Sequence, residues 1–576
     1  MKKISLLFLA LFSTTVFGQT EETATEKTKL NFFGGLESNS LWYTNDKDRK
    51  INHPEDPFRS NNYLNLNLNY GRWSVGIQGE SYAPNALLNY NPKYDETNVG
   101  TWYANYKSSK LDVTAGYFYE QFGSGLLLRS WEDRSLGINN AIRGGKVTYT
   151  PTDNLLFTAL YGRHRTGFDV SEGEIYGFNS DINLFKMLKI EGSELTVGFS
   201  YVGRNEKTDL ISPDFDELTN AYAGRFNFSK GNFYWSTEFN YKSKDGVLYD
   251  SNIVDNYTKS GTALLMNFGY SKKGFGLDAT FRRLENMSFY SERKPEVLAP
   301  EKSSIYFNDK LMNFVPSLTK QHHFNLANIY VYPSQALVYL DPDNGIGKAG
   351  EIGGQIDFYY NFVKASTLGG KYGTKVAVNF SNWNNLKGDY VLYPPDYKTE
   401  FFGFGDKYFS DFNIEVTKKV SSKASYNFAF INQYYNNRLI TGAANVIVKT
   451  NILAAELDYN FSKGRAAKIA LEHMWADNDR KNWVALLLEY NINTKFSVFA
   501  SDMYNYGYDK TANLIDHETD PFDIHFYNFG GAYKKGSTRI ALNYGRQRGG
   551  LVCAGGVCRF VPPSTGLGFT ITTSFN

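Results

Sequence analysis

Strict alternation of apolar and polar residues runs along most of the chain. In YLNLNLNYGRWSVGIQGES, residues 63 to 81, Leu64, Leu66, Leu68 and Tyr70 fall on one face of a strand and Asn65, Asn67 and Asn69 on the other. After Gly71 and Arg72 the pattern resumes, with Trp73, Val75 and Ile77 on one face and Ser74, Gln78 and Glu80 opposite. Two such runs joined by two residues predict a tight β-hairpin. The same unit recurs with a shared turn composition. FNFSKGNFYWSTEFNY turns at Lys230 and Gly231, NFGYSKKGFGLDATF at Lys272 to Gly274, LDYNFSKGRAAKIAL at Lys463 and Gly464, and GGAYKKGSTRIALNY at Lys535 and Gly536.

Between these tight turns lie long polar connections, such as TNDKDRKINHPEDPFRS at 44 to 60 and YDKTANLIDHETDPFD at 508 to 523. A soluble sandwich explains the alternation but not this sorting of short and long connections. A membrane-spanning barrel explains both: the apolar face meets lipid, the polar face a lumen, short turns face the periplasm and long loops the exterior. The predicted fold is therefore all-β, a transmembrane outer-membrane β-barrel of about 24 antiparallel strands, within a range of about 20 to 26. The first strand begins near Leu30 and the last is GLGFTITTSFN, where Leu567, Phe569, Ile571, Thr573 and Phe575 share a face. That ending resembles the terminal signal of outer-membrane barrels, except that Asn576 follows the aromatic residue. The count is least defined between Met287 and Gly350. There HHFNLANIYVYPSQALVYL reads either as an extra strand pair or as a folded surface loop.

The N-terminus agrees with export. MKKISLLFLALFSTTVFGQ has Lys2 and Lys3, an apolar run from Ile4 to Phe12, and small residues before Gln19, which predicts a signal peptide cleaved after Gly18. The run falls short of the roughly 20 residues of a membrane helix. The expected organisation is a signal peptide at 1–18, a short periplasmic segment at 19–28 and a single barrel at 29–576. With the opening strand so close to the cleavage site, the N-terminal plug domain of an energised transporter is not expected. A mean hydropathy of -0.42 is compatible with a barrel, because only every second residue faces lipid. For 576 residues, 16 prolines and no composition shift argue against a chain of linked domains. The 43 tyrosines suit interfacial girdles. A net charge of +2 gives no reason to expect nucleic acid as a partner.

The densest candidate site is GYFYEQFGSGLLLRSWEDRSLGINN, 116 to 140, the expected third external loop. Folded inward, Arg129, Glu132, Asp133 and Arg134 would set opposed charges across a constriction, with the leucines at 126 to 128 anchoring the segment to the inner wall or to another protein. The alternative is a salt-bridged surface loop. Asn65, Asn67, Asn69, Gln78 and Glu80 are expected to face the lumen. Cys553 and Cys558, exported and closely spaced, are expected to form a disulfide that shapes the last external loop. Two thiolates alone do not make a structural zinc site, which wants four ligands. DHETDPFDIH, 516 to 525, sets Asp516, Asp520 and Asp523 around His517 and His525, and reads as a divalent-cation site or, more simply, a solvated acidic loop. His322 and His323 would point opposite ways on a strand. No nucleophile motif stands out. No catalytic residue, cofactor or metal is therefore expected.

Four segments carry a family resemblance: the 116 to 140 stretch, GEIGGQIDFYYNF at 350 to 362, LGGKYGTKVAVNFS at 368 to 381 and RQRGGLVCAGGVCRFVPPSTG at 546 to 566. They resemble an outer-membrane barrel family of Bacteroidetes known only as a domain of unknown function, over a span from about Leu30 to the C-terminus. The resemblance implies an outer-membrane location in a Bacteroidetes envelope and supplies no catalytic residues.

Three functional classes stand at this point. The first is a barrel of porin or transporter type passing small solutes through a polar lumen. The second is a non-conducting subunit of an outer-membrane assembly or secretion complex, and the third a rim-located enzyme. Expected partners are outer-membrane lipid, the barrel-assembly machinery during biogenesis, and other outer-membrane proteins.

Overall fold

The computed structural model describes residues 29–90, 94–207, 216–249, 252–293, 310–442, 446–507 and 523–576. The signal segment lies outside them. Alternation builds one closed antiparallel barrel of 24 strands, with almost no helix. Neighbours in sequence are neighbours in the sheet. The first strand, Asn31–Tyr43, closes the ring by pairing with the last, Ser564–Phe575, from Gly34 opposite Phe575 to Tyr43 opposite Gly566. Closure leaves no unpaired sheet edge, which a lipid environment would penalise.

The opening hairpin pairs Phe58–Tyr70 with Trp73–Ser81, placing Leu66 opposite Ile77 and Asn65 opposite Gln78. Leu64, Leu68, Val75 and Ile77 are exposed on the outer face, while Asn65, Asn67 and Gln78 face inward. The same outward band continues through Val147, Phe199, Leu277, Ile356, Leu457, Leu488 and Leu542. It is edged by exposed aromatics on both sides. Tyr70, Trp73, Tyr270 and Tyr459 stand near the short turns, and Trp42, Phe58 and Trp475 near the long loops. This is the banded surface of a bilayer-spanning barrel.

Connections sort to two rims. The turns at Gly231, Gly274, Gly464 and Gly536 all need a positive φ, which glycine adopts without strain and which explains the recurring Lys-Gly signature. On this rim only 184–193, which holds the helix Leu184–Met187, and 363–373 are longer than four residues, and the other rim carries the remaining long loops. Strands Phe233–Tyr249 and Asn252–Lys272, and strands Thr374–Val391 and Asp396–Lys419, run past the barrel as two extended arms. Lys259 of one arm pairs with Asp396 of the other at 2.6 Å.

The described residues between Met287 and Gly350 form neither a strand pair of the wall nor a surface loop. Only short pairs form among them, Tyr339–Asp341 with Ile346–Lys348 and a single bridge from Tyr290 to Leu311, and the 310–349 part folds into the barrel interior. Its Phe324, Leu326, Ile329 and Tyr332 pack on inward-facing Trp383, Ile431, Ile452, Met474 and Trp483. The expectation of a lumen lined throughout by polar side chains therefore needs correction. Where the wall meets this segment rather than water, its inner face carries an apolar patch among the polar groups.

Candidate functional site

Three long loops meet inside the long-loop half of the barrel: 119–141, the described residues of 286–349, and 548–563. The 119–141 loop is seated by its leucines. Leu126, Leu127 and Leu128 are at most 2% exposed, and the last two pack with Ile142, Leu160, Ile175 and Val202 of the wall. Burying a leucine is worth about 1.5 to 3 kcal/mol, whereas a partly exposed ion pair is worth about 1 kcal/mol or less. Apolar burial thus holds the loop, and the charges orient it. Ser124 adds two hydrogen bonds, its N–H and hydroxyl donating to Glu238 at 2.8 and 2.9 Å.

The four charged residues have separate duties. Arg134 donates from Nη1 to Glu37 of the wall at 2.6 Å and from Nε to Glu132 at 3.0 Å, and lies 4.1 Å from the centre of the Tyr63 ring. Those two carboxylates push its pKa above the ordinary guanidinium value, against the opposing effect of its burial. Glu132 also accepts from Gln78 at 3.3 Å. Asp133 caps its own turn, accepting from the N–H groups of Ser135 and Leu136. Arg129 lies over the Phe314 ring at 3.8 Å.

Below this loop, toward the short turns, are two polar chambers. One, of about 440 Å³, is lined by Asn65, Asn67, Tyr103, Asn105, Thr114 and Lys146, among others. Tyr103 donates to Asn67 at 3.1 Å. The other, of about 470 Å³, is bounded by Ser124, Asn179, Asp181, Arg225, Asn227 and Glu238, among others. Asn69 is half-buried near the short-turn rim. Glu80 was expected in a wet lumen, and there the structure differs. It is 2% exposed, clasped at 2.8 and 2.6 Å by both terminal nitrogens of Arg165 and at 2.7 Å by the Tyr82 hydroxyl. A carboxylate removed from water needs such charge-assisted bonds.

The 286–349 loop is tied to the wall by carboxylates that point inward. Glu351 accepts from Arg282, from the Tyr332 hydroxyl at 2.6 Å and from the Gln335 N–H at 2.7 Å. Arg282 also donates to the Pro316 carbonyl at 2.7 Å. Lys320 reaches Glu415 at 2.6 Å, His322 meets Asp411 at 3.0 Å, and Glu472 accepts the N–H groups of Asn325 and Leu326. His323 faces Glu456 instead, so the adjacent histidines do part company, though in a loop rather than on a strand. Cys553 and Cys558 form a disulfide in the hairpin Gly550–Ala554 and Val557–Val561. Between them Gly556, at φ +83°, gives its carbonyl to the Ser317 N–H at 2.7 Å. A Cβ on Gly556 would stand 2.7 Å from Pro316, so only glycine allows the last loop to sit this close. Arg559 donates to the Leu136 carbonyl, linking the last loop to the 119–141 loop.

The match of a family model now joins this geometry. The chain belongs to DUF6029, a family of unknown function. Its model matches residues 1–575. No curated protein matches the chain. Among solved structures, this DUF6029 barrel is similar to the siderophore receptor PirA from Pseudomonas aeruginosa, with 9% identity, 96% of this chain and 81% of that one covered, and a TM-score of 0.40. It is also similar to OccK3 (OpdO) from Pseudomonas aeruginosa, with 12% identity, 77% and 96% covered, and a TM-score of 0.35. A third is the translocation pore of the P pilus usher PapC, with 8% identity, 95% and 99% covered, and a TM-score of 0.36.

Of the acidic stretch at 516 to 525, Asp516, His517 and Asp520 lie outside the described residues, while His525 holds Asp502 at 2.6 Å. Among the described residues of the DUF6029 chain, no three His, Cys, Asp or Glu side chains are placed to hold a metal. Sequence reading missed Arg282, Glu351, Lys320 and Asp411 as the ties of an internal loop. A usable signal existed: some sixty residues without alternation yet rich in Phe, Leu, Ile and Tyr need a core of their own.

Proposed function

We propose that the protein is an outer-membrane barrel of porin or transporter type, exported by its signal segment into a Bacteroidetes envelope, that admits small polar solutes. Its short turns face the periplasm and its long-loop half is closed by its own loops. Its insertion would use the barrel-assembly machinery, reading the last strand. The observation carrying the reading is a pair of polar chambers beneath a loop layer tied to the wall by buried ion pairs. A barrel serving only as a wall has no use for polar chambers of this size. The runner-up, a non-conducting subunit of an envelope complex, draws support from the apolar packing of the 286–349 loop, which makes a permanent seal as well as a gate.

Planar-bilayer recording separates them. Replacing Glu351 by alanine leaves Arg282 buried without its counter-ion, a cost of about 3 to 5 kcal/mol, and should loosen the loop. The wild type should show small or brief currents and Glu351→Ala larger or longer ones. In the same recordings, replacing Glu132 and Asp133 together with alanine should shift selectivity towards anions, because Arg134 then keeps only Glu37. If neither the wild type nor Glu351→Ala carries current, the conducting reading falls and the structural one stands.

A further inference from the structure

A cavity of about 330 Å³ lies between the 317–332 stretch of the internal loop, the wall at Phe409, Asp411 and Gln433, and the start of the last loop at Gln547 to Cys553. That is room for about ten waters at their liquid volume, or for a solute the size of a dicarboxylate or a sugar phosphate. Most of its polar lining is already committed. Lys320 is held by Glu415 and Asn413, His322 by Asp411, the Tyr332 hydroxyl by Glu351 and the Tyr330 hydroxyl by Asp479. Gln433 donates to Asp411 at 3.0 Å and to the Ala327 carbonyl at 3.2 Å.

Arg548 differs. Its hydrogen bonds are two long ones, from Nη2 to the carbonyls of Asn328 at 3.5 Å and Ile329 at 3.4 Å. Among the described residues no carboxylate stands within ion-pair distance of it. A guanidinium offers five donors in a planar fork suited to a carboxylate or phosphate. Burial and the neighbouring Arg480 charge together lower its pKa to about 10 against the opposing effects of Tyr330 and Asp479, and Asp479 already takes the Tyr330 hydroxyl. The half-buried guanidinium thus lines the cavity with donors that no acid among the described residues takes, and an anion entering there could accept them.

We propose that this cavity binds a small organic anion, its carboxylate or phosphate group paired with Arg548 and its body lying against Tyr330, Tyr332 and Leu551. The site lies between the internal loop and the last loop, so an occupant would touch two of the three loops that close the barrel. The proposal goes beyond solute passage and does not require it.

Isothermal titration of the full-length protein in detergent at low ionic strength tests it, with succinate, inorganic phosphate and glucose 1-phosphate as probes and glucose as the neutral control. At least one anion should bind saturably at one site per chain, weaken as salt is raised, and find no counterpart in glucose. Arg548→Gln should weaken that binding about tenfold or more, and Arg548→Lys should retain part of it. Leu551→Trp, which fills the cavity and leaves the charge, should also abolish binding, and it serves where Arg548→Gln does not fold. The proposal is overturned if none of the three anions binds at millimolar concentration, if glucose binds as well as they do, or if both Arg548→Gln and Leu551→Trp bind like the wild type. Because binding is read at equilibrium in detergent, its failure is distinct from a failure to conduct.

Discussion

At the scale of single residues, what decides a side chain's surroundings is the parity of its position, and the opening hairpin shows how far this carries. Leu66 and Asn67 are neighbours in sequence, yet one belongs to the band at Leu64 and Leu68 and the other lines a polar chamber. Leu66→Arg should therefore impair assembly, at a cost of about 2 to 4 kcal/mol near the bilayer midplane, while Asn67→Arg should be tolerated. Heat-modifiability on gels and the yield of membrane-inserted protein read both, and equal damage from the two would mean that Asn67 sits in packed rather than wet surroundings. Parity also fixed which way Glu80 points, but not what it meets. Its partner Arg165 comes from a strand 85 residues on, and a long-range ion pair leaves no local trace in the sequence.

At the scale of elements, hairpins were legible because turn chemistry and alternation are local, and so was the inward habit of a loop carrying three consecutive leucines. The 286–349 loop was not. Its apolar residues follow no period, because they answer to a concave wall instead of a flat sheet, and the wall answers in kind. In NILAAELDY, both Ile452 and Leu453 are apolar since one meets the internal loop and the other faces outward. The disulfide hairpin belongs to this layer. Closing a six-residue loop restrains the unfolded chain by about 2 kcal/mol at most, so replacing Cys553 and Cys558 with serine should shift barrel melting only slightly. The local effect should be larger. With the Gly556 carbonyl no longer held against Ser317, trypsin should cut near Lys320 or Arg548 in the double variant faster than in the wild type. Unchanged cleavage would mean that Gly556 and Arg559 seat the last loop without the disulfide.

At the scale of the whole molecule, the fold is asymmetric along the barrel axis: polar chambers at one end, a loop layer at the other, and two strand arms continuing beyond it. No strands extend past the barrel in this way on the short-turn rim, where Gly231, Gly464 and Gly536 reverse the chain in two residues and the longest connections are 184–193 and 363–373. The orientation proposed above rests on this asymmetry, because outer-membrane barrels carry short turns on the periplasmic side and longer loops outside. Tyr393, at the tip of one arm, is 88% exposed, and Lys463 sits in a tight turn at the other rim. Both native cysteines are joined in the disulfide, so a single added thiol is a clean reporter. A membrane-impermeant maleimide applied to intact cells should label Tyr393→Cys at once, and should label Lys463→Cys only after the outer membrane is permeabilised. Labelling of Lys463→Cys alone would invert the barrel and put the loop layer, with the Arg548 cavity, on the periplasmic side. Any solute would then meet the polar chambers first and the closing loops last.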